Sequence, residues 1–443
     1  MKTPICDFVR GYAQKNGARL HMPGHKGVSL IGCESLDITE INGADSLYEA
    51  DGIIAESENN ASALFGCKTL YSTEGSSQCI RAMLHLVTLY AREKGERARI
   101  LAVRNVHKAF LYAAALLDAE IEWLFGDGDL LSASVTADDV ESAFKNADSL
   151  PHALYLTSPD YLGLVTDIAA VAEVCRGYGV LLCVDNAHGA YLRFLPVSEH
   201  PIDLGAHLCC DSAHKTLPVL TGGAYLHIAS DAPAFFADRA KDSLALFGST
   251  SPSYLIMQSL DMANKYLADG YSDALGEYCL SVMEVKDKLR IHGYLLYGNE
   301  PLKITLRTKA YGYYGTELAD VLRKNGIECE FADRDHLVLM LTPEIERKEL
   351  TRLCDLLCTI PAKTPIFEKT PKITCGEGVM SIREALFAPA EYVEAKNAVG
   401  RVLASPSVSC PPAVPIAVCG ERLGENAVSC FEYYGIEKIS VVK

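Results

Sequence analysis

Asp211-Ser212-Ala213-His214-Lys215-Thr216-Leu217 is the stretch around which the chain is organised. It lies between two apolar runs, His207 to Cys210 and Gly223 to Ile228, which are predicted to be buried strands. A lysine between buried strands is unusual, because an ammonium group without a partner is costly to dehydrate. Burial also lowers the pKa of a lysine and makes its amine nucleophilic, which is what Schiff-base chemistry requires. The stretch alone also allows a second interpretation, a surface turn with a solvated lysine.

Amphipathic and apolar segments alternate in the region around this stretch. Four segments have helical spacing of apolar residues and are predicted to be helices: Ser57 to Phe65, Ser77 to Lys94, Val106 to Leu117 and Asp167 to Tyr178. Besides the two runs above, four short apolar segments are predicted to be strands: Ile100 to Val103, Ile121 to Phe125, Ala153 to Leu156 and Val180 to Val184. Such alternation predicts an α/β fold, in which helices cover both faces of a mostly parallel sheet. Gly66 and Gly179 are expected to end two of the helices.

The chain is predicted to have three parts. Residues 1–45 form an N-terminal arm, residues 46–265 a large domain, and residues 266–443 a connecting helix and a smaller α+β domain. The connecting helix is expected within 266–300, through Leu275 to Leu289. The smaller domain is expected to contain strands at Leu302 to Leu306 and Leu337 to Leu341, and helices at Thr316 to Lys324 and Glu344 to Leu357. The tail from Ser405 is rich in proline and cysteine and is assigned to no element.

The composition excludes several classes of function. With 41 basic and 57 acidic side chains the net charge is −16, which argues against nucleic acid or an anionic membrane as a partner. No apolar segment reaches the roughly 18 residues of a membrane span, and the N-terminus lacks the apolar core of a signal peptide. The 16 cysteines are scattered without a C-x-x-C pair, so we expect reduced thiols in the cytoplasm. His21 and His25 have the spacing of a helical metal pair, but Pro23 and Gly24 separate them, so no metal site is predicted.

Polar residues occur at four places where ligands of parallel α/β sheets bind, beyond the carboxyl ends of strands. Thr73-Glu74-Gly75-Ser76-Ser77 opens a helix, where backbone N–H groups and hydroxyls can hold a phosphate or simply cap the helix. His107 could stack on a planar ligand, or it could be structural. Asp185 follows five apolar residues and needs a cationic partner if it is buried; the alternative is a turn aspartate. The fourth place is the opening stretch.

These four places have one joint interpretation that none of them has alone. A phosphate loop, an aromatic lid, a carboxylate and an amine are what pyridoxal 5′-phosphate requires. The lysine binds the cofactor as a Schiff base, and the aspartate keeps the pyridine nitrogen protonated so that the ring acts as an electron sink. The order along the chain is phosphate loop, His107, Asp185 and then Lys215, 215 − 185 = 30 residues later. This order is much more specific than any single element.

The same residues carry a family resemblance over nearly the whole chain. The chain resembles the major domain of the bacterial ornithine/lysine/arginine decarboxylases, which have the fold-type-I (aspartate aminotransferase-like) architecture. Its length resembles the short biosynthetic type, without the extra N-terminal domain of the acid-induced members. The matching motifs are Met22 to Lys26, Asp37 to Glu40, Asp45 to Leu47, Gly75 to Ser77, Arg104 to Lys108, Asp185 to Ala190, Ser212 to Leu217, Thr250 to Tyr254, Arg383 to Ala385, Gly400-Arg401, Pro411-Pro412 and Gly420-Glu421.

The resemblance implies a role for each matching residue. Lys215 would form the Schiff base with the cofactor, Asp185 would pair with the pyridine nitrogen, His107 would stack on the ring and His188 would lie near the phenolic oxygen. The residues implied at the phosphate are Gly75, Ser76, Ser77, Ser212 and His214, with Thr250 and Ser251 reaching it across the interface of a homodimer. The implied reaction is decarboxylation of lysine, arginine or ornithine to cadaverine, agmatine or putrescine plus CO₂. His214 or Lys215 is expected to return the proton to Cα.

The chain departs from the family pattern in three places, which concern specificity more than the cofactor core. Asn186 stands where the family usually has Glu. Cys410-Pro411-Pro412-Ala413-Val414-Pro415 replaces a typical Tyr-Pro-Pro-Gly-Ile-Pro, and Cys419-Gly420-Glu421 replaces Pro-Gly-Glu. Glu421 is expected to receive the distal cation of the substrate.

Two alternative functions remain open from the sequence. The first is an aminotransferase or lyase on the same core, for which Arg383 is the candidate clamp on the α-carboxylate. The second is a catalytically silent protein that binds pyridoxal 5′-phosphate, against which the intact Lys215 and Asp185 argue.

Overall fold

A computed structural model describes residues 1–15, 17–126, 135–374, 376–410 and 414–443. Its helices are α1 Pro4–Gln14, α2 Ile53–Phe65, α3 Ser76–Glu93, α4 Lys108–Leu117, α5 Ala137–Asn146, α6 Ile168–Tyr178, α7 Ala213–Thr216, α8 Phe235–Ala245, α9 Tyr254–Ala268, α10 Tyr271–Ile291, α11 Gly315–Lys324, α12 Arg347–Thr359, α13 Ile382–Phe387 and α14 Glu425–Tyr433. Its strands are β1 Lys68–Ser72, β2 Arg99–Val103, β3 Glu120–Leu124, β4 Ala153–Thr157, β5 Leu181–Asp185, β6 Leu208–Asp211, β7 Ala224–Ile228, β8 Leu296–Tyr297, β9 Lys303–Arg307, β10 Phe331–Ala332, β11 His336–Met340, β12 Glu377–Gly378, β13 Ala390–Glu394, β14 Ser407–Cys410, β15 Val414–Val418, β16 Glu421–Arg422 and β17 Lys438–Val442.

The large sheet has seven strands in the order β1-β7-β6-β5-β4-β2-β3. Six strands share one direction and β7 runs against both of its neighbours, so the predicted α/β fold with a mostly parallel sheet is confirmed. The sequence missed β1, because Lys68–Ser72 mixes polar and apolar residues instead of forming an apolar run. Lys68 is exposed, but Thr69 and Ser72 are buried with polar partners: the His227 ring of β7 lies 2.9 Å from the Thr69 hydroxyl, and the Ser72 hydroxyl donates to Gln78 at 2.6 Å.

Helices cover both faces of this sheet because successive strand residues point to opposite sides. On β2, Ile100 and Ala102 pack into one core with α3, α4 and α8. The alternate residues Leu101 and Val103 pack into a second core with α5 and α6. Gly66 and Gly179 end α2 and α6 in the left-handed conformation, as predicted.

The connecting helix expected within 266–300, through Leu275 to Leu289, is confirmed as α10. A second helix, α9, precedes it, and the two are separated at Gly270, whose φ of +74° is a conformation that favours glycine. Helix α9 begins at Tyr254, where the hydroxyl of Ser253 accepts the N–H of Ile256. The predicted boundaries at 45/46 and 265/266 remain predictions.

The smaller domain is α+β, as expected. Its main sheet has the order β10-β11-β9-β8, with antiparallel pairing throughout, and α10, α11 and α12 pack beside it. The unassigned tail contains β14 to β17 and α14. Strands β14 and β15 pair with each other, whereas β16 and β17 pair with β12 and β13, which precede the tail. No helix among the described residues is long and apolar enough to span a bilayer. The fourteen cysteines whose side chains are described form no disulfide, and ten of them are buried.

Candidate active site

A cavity of about 320 Å³ opens at the carboxyl ends of the parallel strands. Nine of the eleven predicted site residues line it: Gly75, Ser76, Ser77, His107, Asp185, His188, Ser212, His214 and Lys215. They lie at the carboxyl ends of β1, β2, β5 and β6 or in the turns and helix starts that follow, and these strands are distant in sequence but end at one edge of the sheet. The fold therefore brings together the residues that the sequence analysis combined.

One end of the cavity is suited to a phosphate group. Gly75 has φ +71°, a conformation that favours glycine, and its N–H donates to the carbonyl of Gly222 at 2.8 Å. The 18-residue helix α3 begins directly after it, so the helix N-terminus points its unpaired N–H groups at this end. The hydroxyls of Ser76, the first residue of α3, and Ser212, which directly precedes α7, lie 2.7 Å apart. A Cβ on Gly75 would lie 4.0 Å from the His214 ring and from the N–H of Ser77, inside this cradle.

The wall of the cavity contains a buried carboxylate. Asp185 is 2 % exposed and accepts hydrogen bonds from the N–H of Ala187 (3.2 Å), the hydroxyl of Tyr155 (3.3 Å) and the thiol of Cys210 (3.6 Å). None of these donors is charged, and among the residues that the structure describes no cationic side chain forms a salt bridge with it. A buried carboxylate without a cation is costly, and a ligand that brings a protonated nitrogen would relieve that cost.

The Lys215 amine lies against an imidazole. Its Nζ is 3.0 Å from Nε2 of His188, and Nδ1 of His188 is 3.3 Å from Nζ of a second lysine, Lys303. Burial, with Lys303 adding to it, lowers the pKa of Lys215, while Asp185 and Glu330 oppose the shift. Burial and both lysines hold the pKa of His188 well below its usual range. The pair is therefore a neutral imidazole beside an amine that loses its proton more readily than an exposed lysine.

The other two histidines have their ring nitrogens fixed by the backbone. Nδ1 of His107 accepts the N–H of Ala109 (3.2 Å) at the start of α4, and Nδ1 of His214 donates to the carbonyl of Gly223 (3.1 Å). Burial lowers the pKa of both rings. His214 in its neutral form therefore has an unprotonated Nε2.

A second buried carboxylate, that of Asp211, ends β6 just before the short helix that contains Lys215. The carboxylate of Asp211 accepts from Nε2 of His200 (3.1 Å), from Nε2 of His227 (3.0 Å) and from the amide of Asn186 (2.7 Å). Burial alone would raise the pKa of Asp211, but the two rings lower it overall, and Asp211 in turn raises the pKa of His227 to about 9 against burial. An amide at position 186 can donate to this carboxylate, whereas a glutamate there would add a second buried negative charge. Ligand atoms of His200, Cys209 and Asp211 lie within 4.8 Å of one another, and their mutual hydrogen bonds account for the cluster.

Six further residues line the cavity without having been predicted as site residues: Asn105, Thr157, Asp160, Tyr161, Ala187 and Glu330. The first five lie at the end of β2, β4 or β5 or directly after it, so the rule about strand ends could have found them. Glu330 comes from the smaller domain, directly before β10, and no local pattern predicts that it faces this cavity. Its carboxylate is exposed and accepts the hydroxyl of Tyr161 at 2.8 Å.

Two expectations about the tail and the rival functions are wrong. Glu421 does not line the cavity, because Arg104 holds both of its oxygens (2.7 and 2.8 Å) in a buried ion pair. Arg383 is bound to the carbonyls of Ala115 and Leu116 at the end of α4, so it does not clamp a carboxylate there. An aminotransferase on this chain thus loses the clamp that the sequence suggested.

The remaining predicted residues are placed as follows. Thr250 and Ser251 are exposed and do not line the cavity of their own chain, so their role stays a prediction. His21 contacts the hydroxyl of Tyr12, and His25 pairs with Asp37 at 3.1 Å. Of the atypical tail segment, Pro411, Pro412 and Ala413 lie outside the described residues.

Comparison with known proteins relates the chain to one family of decarboxylases. The family model "Orn/Lys/Arg decarboxylase, major domain" matches residues 3–297. The chain is 29% identical to an arginine decarboxylase of Halalkalibacterium halodurans, over 96% of this chain and 92% of that protein. It is also 29% identical to the uncharacterized protein YaaO of Bacillus subtilis, over 97% of this chain and 93% of the other. Among solved structures, the Francisella novicida lysine decarboxylase LdcF superposes with a TM-score of 0.80 at 16% identity, covering 100% of this chain and 81% of that one.

Proposed function

The chain belongs to the Orn/Lys/Arg decarboxylase family, and from this premise we propose that it removes the α-carboxyl group of a basic amino acid as CO₂, with pyridoxal 5′-phosphate as cofactor. The observation that carries the proposal is the convergence of Lys215, Asp185 and the phosphate cradle in one cavity, with the acidic Glu330 in its lining. Arginine is the first substrate to test, since relatives at 27–29% identity over nearly the full length are arginine decarboxylases. The product would be agmatine, a polyamine precursor.

The residues present fit this cofactor on two observations. Asp185 is a buried carboxylate with neutral partners only, which suits a protonated pyridine nitrogen. The positive φ of Gly75 keeps the cradle before α3 open for a phosphate, where Ser76, Ser77, Ser212 and His214 supply further polar groups. Lys215 would hold the cofactor through its amine, and His107 would cover the ring. When bound, the cofactor supplies an electron sink for the electron pair left behind by CO₂.

The chain's own residues then have distinct tasks. Asp185 would keep a proton on the ring nitrogen of the bound cofactor, and His188 presents Nε2 to the Lys215 amine. For the proton that returns to Cα, Lys215 is favoured over His214. Because Nδ1 of His214 donates to a carbonyl and burial lowers its pKa, its Nε2 carries no proton to give in the neutral ring. Lys215 carries an amine in the same cavity, which could hold a proton and deliver it to Cα.

Glu330 is the proposed receptor for the distal cation of the substrate, in place of Glu421. It lines the same cavity as Lys215 and is close enough to influence the pKa of its amine. One of its oxygens accepts from Tyr161, which leaves acceptor capacity for a guanidinium or ammonium group. A carboxylate at this position would select a basic side chain over a neutral one.

The working unit in this proposal is a homodimer, in which Thr250 and Ser251 of one subunit reach the phosphate site of the other. Two observations support it: both residues are exposed, and the N-terminal arm exposes Leu20 (94%), Leu30 (79%) and Ile31 (84%). Exposed apolar side chains in one segment are typical of an interface. Light scattering should give twice the chain mass of 48.1 kDa; a monomer under assay conditions contradicts this part of the proposal. Most of the described thiols are buried and form no disulfide, which favours a reducing compartment as the place of this enzyme.

A substrate panel tests the function directly. Purified protein with added cofactor is incubated with arginine, lysine and ornithine, and both CO₂ and the organic product are measured. For at least one substrate we expect one molecule of the matching amine (agmatine, cadaverine or putrescine) for each molecule of CO₂. A keto acid would instead indicate transamination, and no turnover of any substrate by the cofactor-loaded protein would indicate a silent binding protein. Either result contradicts the proposal.

Replacing Glu330 with glutamine should raise the KM for the preferred substrate by about tenfold and leave kcat nearly unchanged. The variant keeps the hydrogen bond with Tyr161 but loses the charge that attracts the distal cation. Glu328→Gln is the matched control, because Glu328 is exposed, pairs with Arg323 and does not line the cavity. Equal KM values for the two variants would assign the distal cation to another residue.

A further inference from the structure

Lys303 is a buried cation that the proposed reaction does not use. It is the first residue of β9 in the smaller domain, and it is 3 % exposed. Its Nζ lies 2.7 Å from the carboxylate of Glu300, and the two side chains are almost fully buried. Such a pair can often be replaced by apolar residues without loss of stability, so its presence calls for another reason.

The position of Lys303 gives that reason. Besides Glu300, its Nζ contacts the carbonyl of Asp160 (3.2 Å) and Nδ1 of His188 (3.3 Å). Asp160 and His188 both line the active-site cavity, whereas Lys303 lies behind them. The chain of contacts thus runs from Glu300 through Lys303 and His188 to the Lys215 amine.

The direction of the hydrogen bonds along this chain is set by chemistry. An ammonium group only donates, so Nδ1 of His188 must accept from Lys303 and cannot carry a proton. The proton of the neutral ring is then on Nε2, which lies 3.0 Å from Lys215. An N–H at that position can donate to the amine only when the amine is unprotonated.

We propose that Lys303 is a positioning residue that fixes the proton of His188 on Nε2 and so favours the unprotonated, nucleophilic form of Lys215. The role given to Lys215 rests on the proposed function; the hydrogen-bond arrangement itself does not. Without Lys303, the ring can place its proton on Nδ1 and accept from a Lys215 ammonium group through Nε2. The positive charge of Lys303 and the tautomer that it imposes on His188 both favour the unprotonated amine of Lys215, since a second cation nearby disfavours the protonated amine.

Other groups also face Lys215 and His188 and must stay unchanged in the test. They are Asp185, His107, His214, Cys210, Glu330 and the ring of Tyr161. Lys303 also has a purely structural alternative. It ties the loop after β4 to the smaller domain, and a Cβ on Gly163 would lie 3.0 Å from its side chain. A tie of this kind affects stability but not the protonation of Lys215.

The test measures the protonation of Lys215 in the full, cofactor-free chain. Reductive methylation of this lysine is followed by peptide mass spectrometry from about pH 6 to 10, because only the unprotonated amine reacts. In Lys303→Met we expect the half-maximal pH to rise by about one unit, which lowers labelling at pH 7 about tenfold. Lys286→Met is the control, since Lys286 binds the carbonyls of Glu300 and Pro301 in the same turn but does not touch His188. Its labelling curve should match that of the unaltered chain.

A double variant keeps the proposal testable if Lys303→Met folds poorly. Lys303→Met with Glu300→Leu removes both buried charges together, so the rise in half-maximal pH then reports the change at His188 alone. A folded single or double variant with an unshifted Lys215 curve overturns the proposal and leaves the structural alternative. Because no turnover is measured, a protein without decarboxylase activity can still show the shift, and an active decarboxylase can still fail to show it.

Discussion

Lys215→Ala is expected to lose the adduct with pyridoxal 5′-phosphate that borohydride reduces, and to lose turnover by about ten-thousandfold or more. That factor corresponds to about 5.4 kcal/mol of barrier at about 1.36 kcal/mol per tenfold. The reason is that, among the described residues that line the cavity, Lys215 alone carries a side-chain amine. Lys303 lies behind His188, and its Nζ is held by Glu300. The cofactor would keep its phosphate and ring contacts but no covalent bond.

The measurement is the mass of the reduced protein and of its Lys215 peptide. Lys108→Ala is the control, because Lys108 follows His107 at the start of α4, is exposed and does not line the cavity. The control should retain a reducible adduct equal to that of the unaltered chain. An undiminished adduct in Lys215→Ala would show that another lysine holds the cofactor, and the central assignment would be wrong.

The part of the site that was predictable is the part built at the edge of the parallel sheet. Gly75, His107 and Lys215 each follow a strand and Asp185 ends one, and topology alone brings the carboxyl ends of parallel strands together. Their residue types then restrict the chemistry, because a phosphate cradle, a carboxylate and an amine in this order suit few cofactors. The fold class followed from the same alternation of apolar and amphipathic segments.

What could not be predicted depends on packing between distant segments. Glu330 and Lys303 belong to the smaller domain, and their approach to the cavity follows from how the loop after β4 packs on residues 299–305. Glu421 looked available because its partner, Arg104, lies 317 residues earlier in the chain. Arg383 is a similar case, since the carbonyls that it binds belong to α4. A sequence pattern shows which residues are polar but not which distant partner occupies them.

Asp185→Asn is expected to lower turnover by about a thousandfold, about 4 kcal/mol of barrier, while the Lys215 adduct still forms. Asparagine keeps the volume of the side chain between Tyr155 and Cys210, so the loss reports charge rather than packing. Without the carboxylate, nothing among its described contacts holds a proton on the pyridine nitrogen, and the ring accepts the electron pair poorly.

Tyr155→Phe tests whether the loss of turnover comes from the Asp185 carboxylate itself or from a change in the groups around it. It removes the hydroxyl that donates to Asp185 at 3.3 Å, but keeps the N–H of Ala187 at 3.2 Å and the carboxylate itself. Turnover of this variant should stay within tenfold of the unaltered enzyme. Kinetics at saturating substrate, together with borohydride reduction of both variants, distinguish a lost electron sink from lost cofactor. If Asp185→Asn also stays within tenfold, the buried carboxylate is not the partner of the pyridine nitrogen, and the protonated ring must be sustained by another group.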